Sequence, residues 1–312
     1  MGCILCLLEV LLAIASSDSG IAERRCTHQD APPPTHQPLP AAAKGQLLTA
    51  HRVLLQRARN NVSINHQRPM PLLLHQSWKS CTPPPRQSMW RDSCAALNPG
   101  WLMHLWTDGA NRMLVEQLFP DLLQLYDSYD VSIKRVDAVR LMYLYAYGGV
   151  YMDLDFACLK PLLTSGLLQP GHFVAGYQLR QTGQPHAIAN AFMASPPGHP
   201  FVAYLLSRLQ QSATLGVLAA TGPVFLTQAV NEYIRIHGRS AKVVIHEMPT
   251  IYPFAWNEEN ECSRGETAAV LAQCTARLAN TSAALVTFWT HKETWRRCTP
   301  VCPPTPQQSL LA

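Results

Sequence analysis

The sequence predicts an α/β fold, a mainly parallel central sheet flanked by helices, and three observations carry that expectation. Short apolar runs of strand length alternate with longer segments of helical period. Glycine, proline and small polar residues punctuate the boundaries between them. A chain of 312 residues, 47% of them hydrophobic, is enough for one large domain with a sizeable core.

Taken in order, Pro71–Gln76 reads as the first buried strand, with Ser77 and Trp78 at its carboxyl end. Arg86–Leu97 has helical periodicity, Asn98-Pro99-Gly100 is a turn, and Trp101–Trp106 is a second strand closed by Thr107-Asp108. A helix over Gly109–Leu118 ends at Phe119-Pro120-Asp121. Ile133–Tyr147 is a long helix stopped by Gly148-Gly149, which leads into an apolar strand ending in Asp153-Leu154-Asp155. Phe173–Tyr177 and Ala191–Ala194 read as strands, and His199–Gln211 and Pro223–His237 as helices. Alternation of this kind implies a sheet covered on both faces. Ligands of such sheets collect at the carboxyl ends of the strands, where Trp78, Asp108 and Asp153 are expected to lie.

The organisation expected around this domain has four parts. Residues 1–15 are a signal peptide or short signal anchor: Cys3–Ala15 is apolar apart from Glu9, and Ala13-Ile14-Ala15 has a small-x-small pattern. Residues 16–45 form a Pro-rich stem, 46–298 the folded domain with a short amphipathic helix at Leu47–Arg59, and 299–312 a disordered tail. Ten cysteines point to an oxidising compartment, with Cys262, Cys274, Cys298 and Cys302 gathered near the C-terminus as expected disulfide partners. The sequons at Asn61 and Asn280 agree with a luminal protein. A net charge of +5 without a long basic run, and only 14% charged residues, argue against nucleic acid as a partner. An acidic membrane surface or an anionic substrate is compatible with that charge.

The chemistry concentrates at Asp153 and Asp155. Side chains on a strand alternate, so the two carboxylates are expected to share one site while Leu154 turns inward. Hard oxygen ligands of this kind suit magnesium or manganese, which keep waters and complete their shell with substrate phosphates. The alternative is a pair of solvated turn carboxylates. Asp137 and Arg140, three apart, project from one face of the preceding helix, either as a local ion pair or as the acceptor and donor that a polyhydroxylated sugar requires. His75 and His104 read as structural strand histidines rather than ligands.

The run from Ile133-Lys134-Arg135-Val136-Asp137-Ala138-Val139-Arg140 through Gly148-Gly149-Val150-Tyr151-Met152-Asp153-Leu154-Asp155 resembles the sugar-binding region of glycosyltransferase family 32. Pro71–Trp78, Asn98–Trp101 with Leu105–Asp108, and the Tyr126-Asp127-Ser128-Tyr129 link are similar to that family's other motifs in the same order. Asn190–Phe201 and Thr221-Gly222-Pro223 are similar to mannosyl-inositol-phosphoceramide synthases within it. The resemblance implies a GT-A-type fold and a retaining hexosyltransferase with Mn2+ (or Mg2+) as cofactor and a nucleotide-sugar donor, GDP-mannose favoured. It implies a glycolipid or glycan acceptor, inositol phosphoceramide first, in a membrane-associated enzyme of the Golgi lumen or membrane; a regulatory subunit is left open. Galactosyl or N-acetylglucosaminyl transfer, and a catalytically silent sugar-binding scaffold, are the alternatives.

By the same resemblance, Asp155 holds the metal directly and Asp153 contacts the metal shell or ribose. Asp137 and Arg140 bind the donor sugar, and Trp78 lies by the base. Tyr151 stands near the diphosphate or is a half-buried strand aromatic. Asn190 and the Thr221 loop face sugar or acceptor. Many relatives carry a histidine where this chain has Thr287; His291, four residues on, is either a substitute ligand or an ordinary surface histidine, which leaves the metal site one protein ligand short or the activity weakened.

Overall fold

The structure, a computed structural model, describes residues 70–256, 258, 281 and 283–287. The leader, the stem, the Leu47–Arg59 helix, both sequon asparagines, Cys262, Cys274, Cys298, Cys302, His291 and the tail lie outside the described residues.

The elements are β1 (Leu73–Ser77), α1 (Pro85–Leu97), β2 (Leu102–Trp106), α2 (Asp108–Leu118), α3 (Pro120–Ser128), α4 (Ser132–Tyr147), β3 (Gly149–Met152) and β4 (Phe156–Cys158). They continue with β5 (Phe173–Tyr177), β6 (Ile188–Ser195), α5 (Pro200–Ser212), α6 (Val217–Ala220), α7 (Pro223–His237), β7 (Val243–His246) and β8 (Leu285–Thr287). Helices α1, α3, α5 and α7 all begin with a proline, whose fixed φ suits the first turn and whose missing N–H is no loss there. Helix α2 is capped by Thr107, whose hydroxyl accepts from the Ala110 N–H.

The central sheet has the order β2-β1-β3-β6-β5-β7. Strands β2, β1, β3, β5 and β7 run one way, and β6 alone is reversed between β3 and β5. The expected mainly parallel sheet flanked by helices is what the chain forms. Alternate strand residues feed two cores, as the pleat requires. Leu73, Tyr151, Phe173 and Met193 pack with α2, α4, α5 and α7, whereas Leu74, Val150, Val174 and Phe192 pack with Cys94, Phe156, Tyr252 and Leu285. Helix α4 buries residues on every side, which is the position of a central helix rather than a surface one.

Two expectations are corrected, and four short elements are added. The Tyr126–Tyr129 link belongs mostly to helix α3, entered through Pro120. Strands β4, β7 and β8 and helix α6 had no sequence expectation; at three or four residues each they are too short to show a period. The acidic pair is not on a strand: β3 ends at Met152, and Asp153-Leu154-Asp155 forms a tight turn closed by Phe156 N–H to the Asp153 carbonyl at 3.4 Å. Leu154 does turn into the core. A disulfide joins Cys94 of α1 to Cys158 of β4. No helix among the described residues is long and apolar enough to cross a membrane.

Candidate active site

The acidic turn lies at the carboxyl edge of the sheet. Trp78 N–H donates to the Trp106 carbonyl at 2.9 Å, which brings the ends of β1 and β2 level, and Asp108 opens α2 directly after β2. Trp78 is half-buried there with the Lys79 ammonium 5.8 Å from its ring. Asp153 N–H donates to the Ala191 carbonyl at 2.9 Å, so the reversed strand β6 presents its early residues, Asn190 among them, at this same edge.

The joint at the C-terminus of helix α4 sets the helix back along β3, so that Asp137 and Arg140 reach the turn. Gly148 caps it with φ +65°, and Gly149 follows at φ +91°, both in the region that L side chains avoid. A Cβ on Gly149 would fall on the Leu73 carbonyl oxygen of β1. Only glycine therefore lets the chain leave the helix and drop at once into the sheet.

Arg140 is the centre of the arrangement. Its Nη2 is 2.9 Å from Asp137 Oδ1 and its Nη1 is 3.5 Å from Asp153 Oδ1. Nη1 also donates to the Asn190 carbonyl at 2.8 Å, and the guanidinium lies 4.4 Å from the centre of the Tyr151 ring. Tyr151 hydroxyl donates to Asp153 Oδ1 at 2.6 Å. Thr221 hydroxyl donates to Asp137 Oδ2 at 3.3 Å, and Asn190 Nδ2 donates to the Thr221 carbonyl at 3.3 Å. An ion this deeply buried must find partners or cost several kcal/mol, and here the chain supplies them. Asp137 and Arg140 are thus more than the local pair that spacing alone allowed.

Charge and burial compete at these groups. Burial pushes the Asp137 carboxyl up to about 6, against the pull of Arg140, with Asp153 adding to the rise. For Arg140 burial opposes the charge, but Tyr151, Asp153 and Asp137 outweigh it and hold the guanidinium above the ordinary arginine range. Both side chains are ionised at neutral pH.

Of the expected site residues, Asp137, Arg140, Tyr151, Asp153, Asn190 and Thr221 form one bonded group, and Asp155 lies two residues on in the same turn. Tyr151 is buried rather than half-buried, because its ring forms the floor beneath Arg140. Thr287 lies opposite Phe156, the residue that follows Asp155, in the β4–β8 pairing, and is itself buried. His75 and His104 are buried in β1 and β2, as structural strand histidines should be.

The donor set fits a hard cation that takes most of its ligands from substrate and water. Among the described residues no cluster of three or more His, Cys, Asp or Glu side chains forms a protein cage. Two carboxylates in one tight turn are what magnesium or manganese needs beside a diphosphate. Asp153 keeps 16% of its side chain exposed, so the turn opens to solvent, while Asp155 lies deeper at 2%.

Tyr252 joins the site without any sequence signal. It is buried, meets Phe156 edge-on at 5.6 Å, and stands within the fields of Asp153 and Asp155. Burial first, then the Asp153 carboxylate, pushes its phenol well above the ordinary range. No local pattern marks it, because it reaches the turn only when the segment after β7 folds back. The Cys94–Cys158 pairing likewise has no local signal, because 64 residues separate the two cysteines.

Residues 84–171 match the family model described as the glycosyltransferase sugar-binding region containing the DXD motif. The chain is 36% identical over 172 residues to inositol phosphoceramide mannosyltransferase 3 of Schizosaccharomyces pombe, across 52% of this chain and 45% of the relative. It is 31% identical over 172 residues to a mannosyl phosphorylinositol ceramide synthase of Saccharomyces cerevisiae, across 53% and 44%. The chain spans about half the length of the curated relatives it matches. A solved structure, PaToxG glycosyltransferase, is similar at a TM-score of 0.42 and 19% identity, over 62% of this chain and 79% of that one. The family match bears out the resemblance read from the ordered motifs, and the sheet agrees with the α/β class expected from the sequence.

Proposed function

From a chain whose residues 84–171 match a DXD-containing glycosyltransferase sugar-binding region, we propose a metal-dependent, retaining glycosyltransferase that moves mannose from GDP-mannose to inositol phosphoceramide. The observation that carries the proposal is the bridge made by Arg140 between Asp137 on α4 and Asp153 in the acidic turn, beside Asp155. The names of the relatives supply the donor sugar and acceptor class.

In this reading Asp155 is the first metal ligand. Asp153, whose Oδ1 already receives Tyr151 and Arg140, faces the metal shell or ribose. When bound, Mn2+ or Mg2+ supplies positive charge to the departing diphosphate. Asp137 accepts hydrogen bonds from donor-sugar hydroxyls, and Arg140 holds Asp137 ionised and in place. Arg140 also adds positive charge on the side of the leaving group, moderated by its two carboxylate partners. Trp78 offers its face to the base, and Asn190 with the Thr221 loop lines the sugar side. Transfer breaks the bond between the anomeric carbon and the phosphate oxygen and forms one to the acceptor hydroxyl oxygen on the same face. The acceptor proton passes to the departing phosphate oxygen, so no separate carboxylate base is needed.

The catalytic domain is assigned to residues 46–298, behind a secretory leader and a Pro-rich stem, in a Golgi enzyme working at a membrane. The Cys94–Cys158 disulfide supports the oxidising compartment. A second reading, a sugar-binding protein with weak or no transfer, is favoured by one observation: Thr287, at the position to which the family resemblance gives a histidine, is buried opposite Phe156, the residue after Asp155.

The test is a donor panel with Mn2+ and an inositol phosphoceramide acceptor, read as nucleoside diphosphate release and glycolipid formation. GDP-mannose is expected to turn over. Turnover with UDP-galactose instead would remove the donor assignment. Binding without turnover for every donor would favour the second reading.

A further inference from the structure

His75 is fully buried in β1, and its neighbours determine which ring nitrogen carries the proton. The Trp106 indole N–H can only donate, and it lies 3.1 Å from His75 Nδ1, so Nδ1 accepts. The proton is therefore on Nε2, which donates to the Gly148 carbonyl at 2.9 Å. The ring stacks on Tyr143 with centroids 5.4 Å apart and an interplanar angle of 18°. Burial lowers the imidazole to about 3, so the neutral form holds at every physiological pH.

Gly148 is the residue at which α4, carrying Asp137 and Arg140, gives way to β3, carrying Tyr151 toward the acidic turn. Both Gly148 and Gly149 sit at positive φ, so this joint has no side chain of its own to hold it. The His75 ring, 73 residues away in sequence, holds its carbonyl instead. At 3.5 Å the Arg140–Asp153 contact leaves little slack for rotation at the joint.

We infer that His75 is a positioning residue for the donor site, its Nε2–H holding the Gly148 carbonyl and so setting Asp137 and Arg140 on α4 against Asp153 and Asp155. The inference rests on the nucleotide-sugar reading above. His104 provides an internal comparison: it pairs in register with His75, is also buried, and packs edge-on against the same Trp106 at 4.3 Å, but it lies one strand further from the joint.

The experiment measures calorimetric binding of Mn2+ with GDP, and with UDP in parallel, to the full chain and its variants, alongside thermal denaturation. His75→Leu is expected to weaken Mn2+-nucleotide binding at least about tenfold, the scale on which groups that orient metal ligands act. His75→Gln, which keeps an N–H for Gly148, is expected to recover most of that loss, and His104→Leu to bind like the unaltered chain even where its midpoint falls as far. Equal binding by His75→Leu and His104→Leu would overturn the inference, as would a glutamine variant no better than leucine. Should His75→Leu fail to fold, the glutamine variant decides: near-normal binding supports the inference, and a loss as deep as that of Asp155→Ala overturns it. Asp155→Ala separates the two layers. If it binds normally the nucleotide-metal reading itself falls; if it loses binding while His75→Leu keeps it, only the role of His75 falls.

Discussion

Arg140 Nη1 stands 3.5 Å from Asp153 Oδ1, so a single buried guanidinium ties the central helix to the acidic turn at the sheet edge. The same group holds Asp137 at 2.9 Å and the Asn190 carbonyl at 2.8 Å, joining α4, the turn and β6.

Removing that guanidinium leaves two like charges facing each other in a buried site. Arg140→Ala is expected to destabilise the fold by about 3–5 kcal/mol, the usual cost of breaking one side of a buried ion pair. Arg140→Lys keeps the charge but loses the planar fork that reaches two carboxylates and a carbonyl together, so donor turnover should fall at least about tenfold with a smaller loss of stability. Denaturant titration and donor turnover check both; full activity in the lysine variant would remove Arg140 from the site.

Asp137 makes donor binding pH-dependent. Its folded pKa, about 6, is above the ordinary 3.8 because of burial, so the carboxylate is lost as pH falls through about 6 and donor affinity should fall with it. The stability trend runs the other way. The native state binds the proton more readily than the unfolded chain, so this group's favourable contribution is complete below 3.8 and is lost as pH rises through about 6. A pH profile of donor KM lacking a step near 6 in the unaltered chain, or keeping one in Asp137→Asn, would contradict this.

The joint after α4 tolerates only glycine. Gly149→Ala is expected to cost about 1–3 kcal/mol for the backbone conformation alone, and more for the collision with the Leu73 carbonyl. Gly109→Ala, with open space around it at the start of α2, should be neutral or slightly stabilising. Comparing denaturation midpoints tests the contrast, and similar effects at the two positions would refute it.

The Cys94–Cys158 bridge closes a separation of 64 residues and anchors β4 just after the acidic turn. Chain-entropy arguments give such a loop about 4 kcal/mol. Reductant, or the double substitution by alanine, should therefore lower the denaturation midpoint markedly. An unchanged midpoint after confirmed reduction would show that the bridge contributes little.

Much of the fold was legible because the longer elements carry their own periodicity. Strand β1, helices α1, α2, α4, α5 and α7 and strand β5 fall within a few residues of their expected bounds, since apolar spacing and proline or glycine punctuation are local properties. Strands β4, β7 and β8 were not legible, because three or four residues show no period and such strands exist only through their partners. The acidic pair was read as a strand end, and the turn became visible only with its closing hydrogen bond.

The candidate residues divide along the same line. Asp137 with Arg140 and Asp153 with Asp155 announce themselves by spacing, and the Gly148-Gly149 stop is written in the residues themselves. Which of these meet was decided by packing. Arg140 reaches the Asn190 carbonyl because β6 inserts in reverse beside β3, Tyr252 comes under the turn because the chain folds back after β7, and His75 holds Gly148 because β1 lies against β3. Local spacing is set by bond geometry and so can be read along the chain, whereas these contacts join residues dozens of positions apart and arise only once buried surfaces have chosen their neighbours.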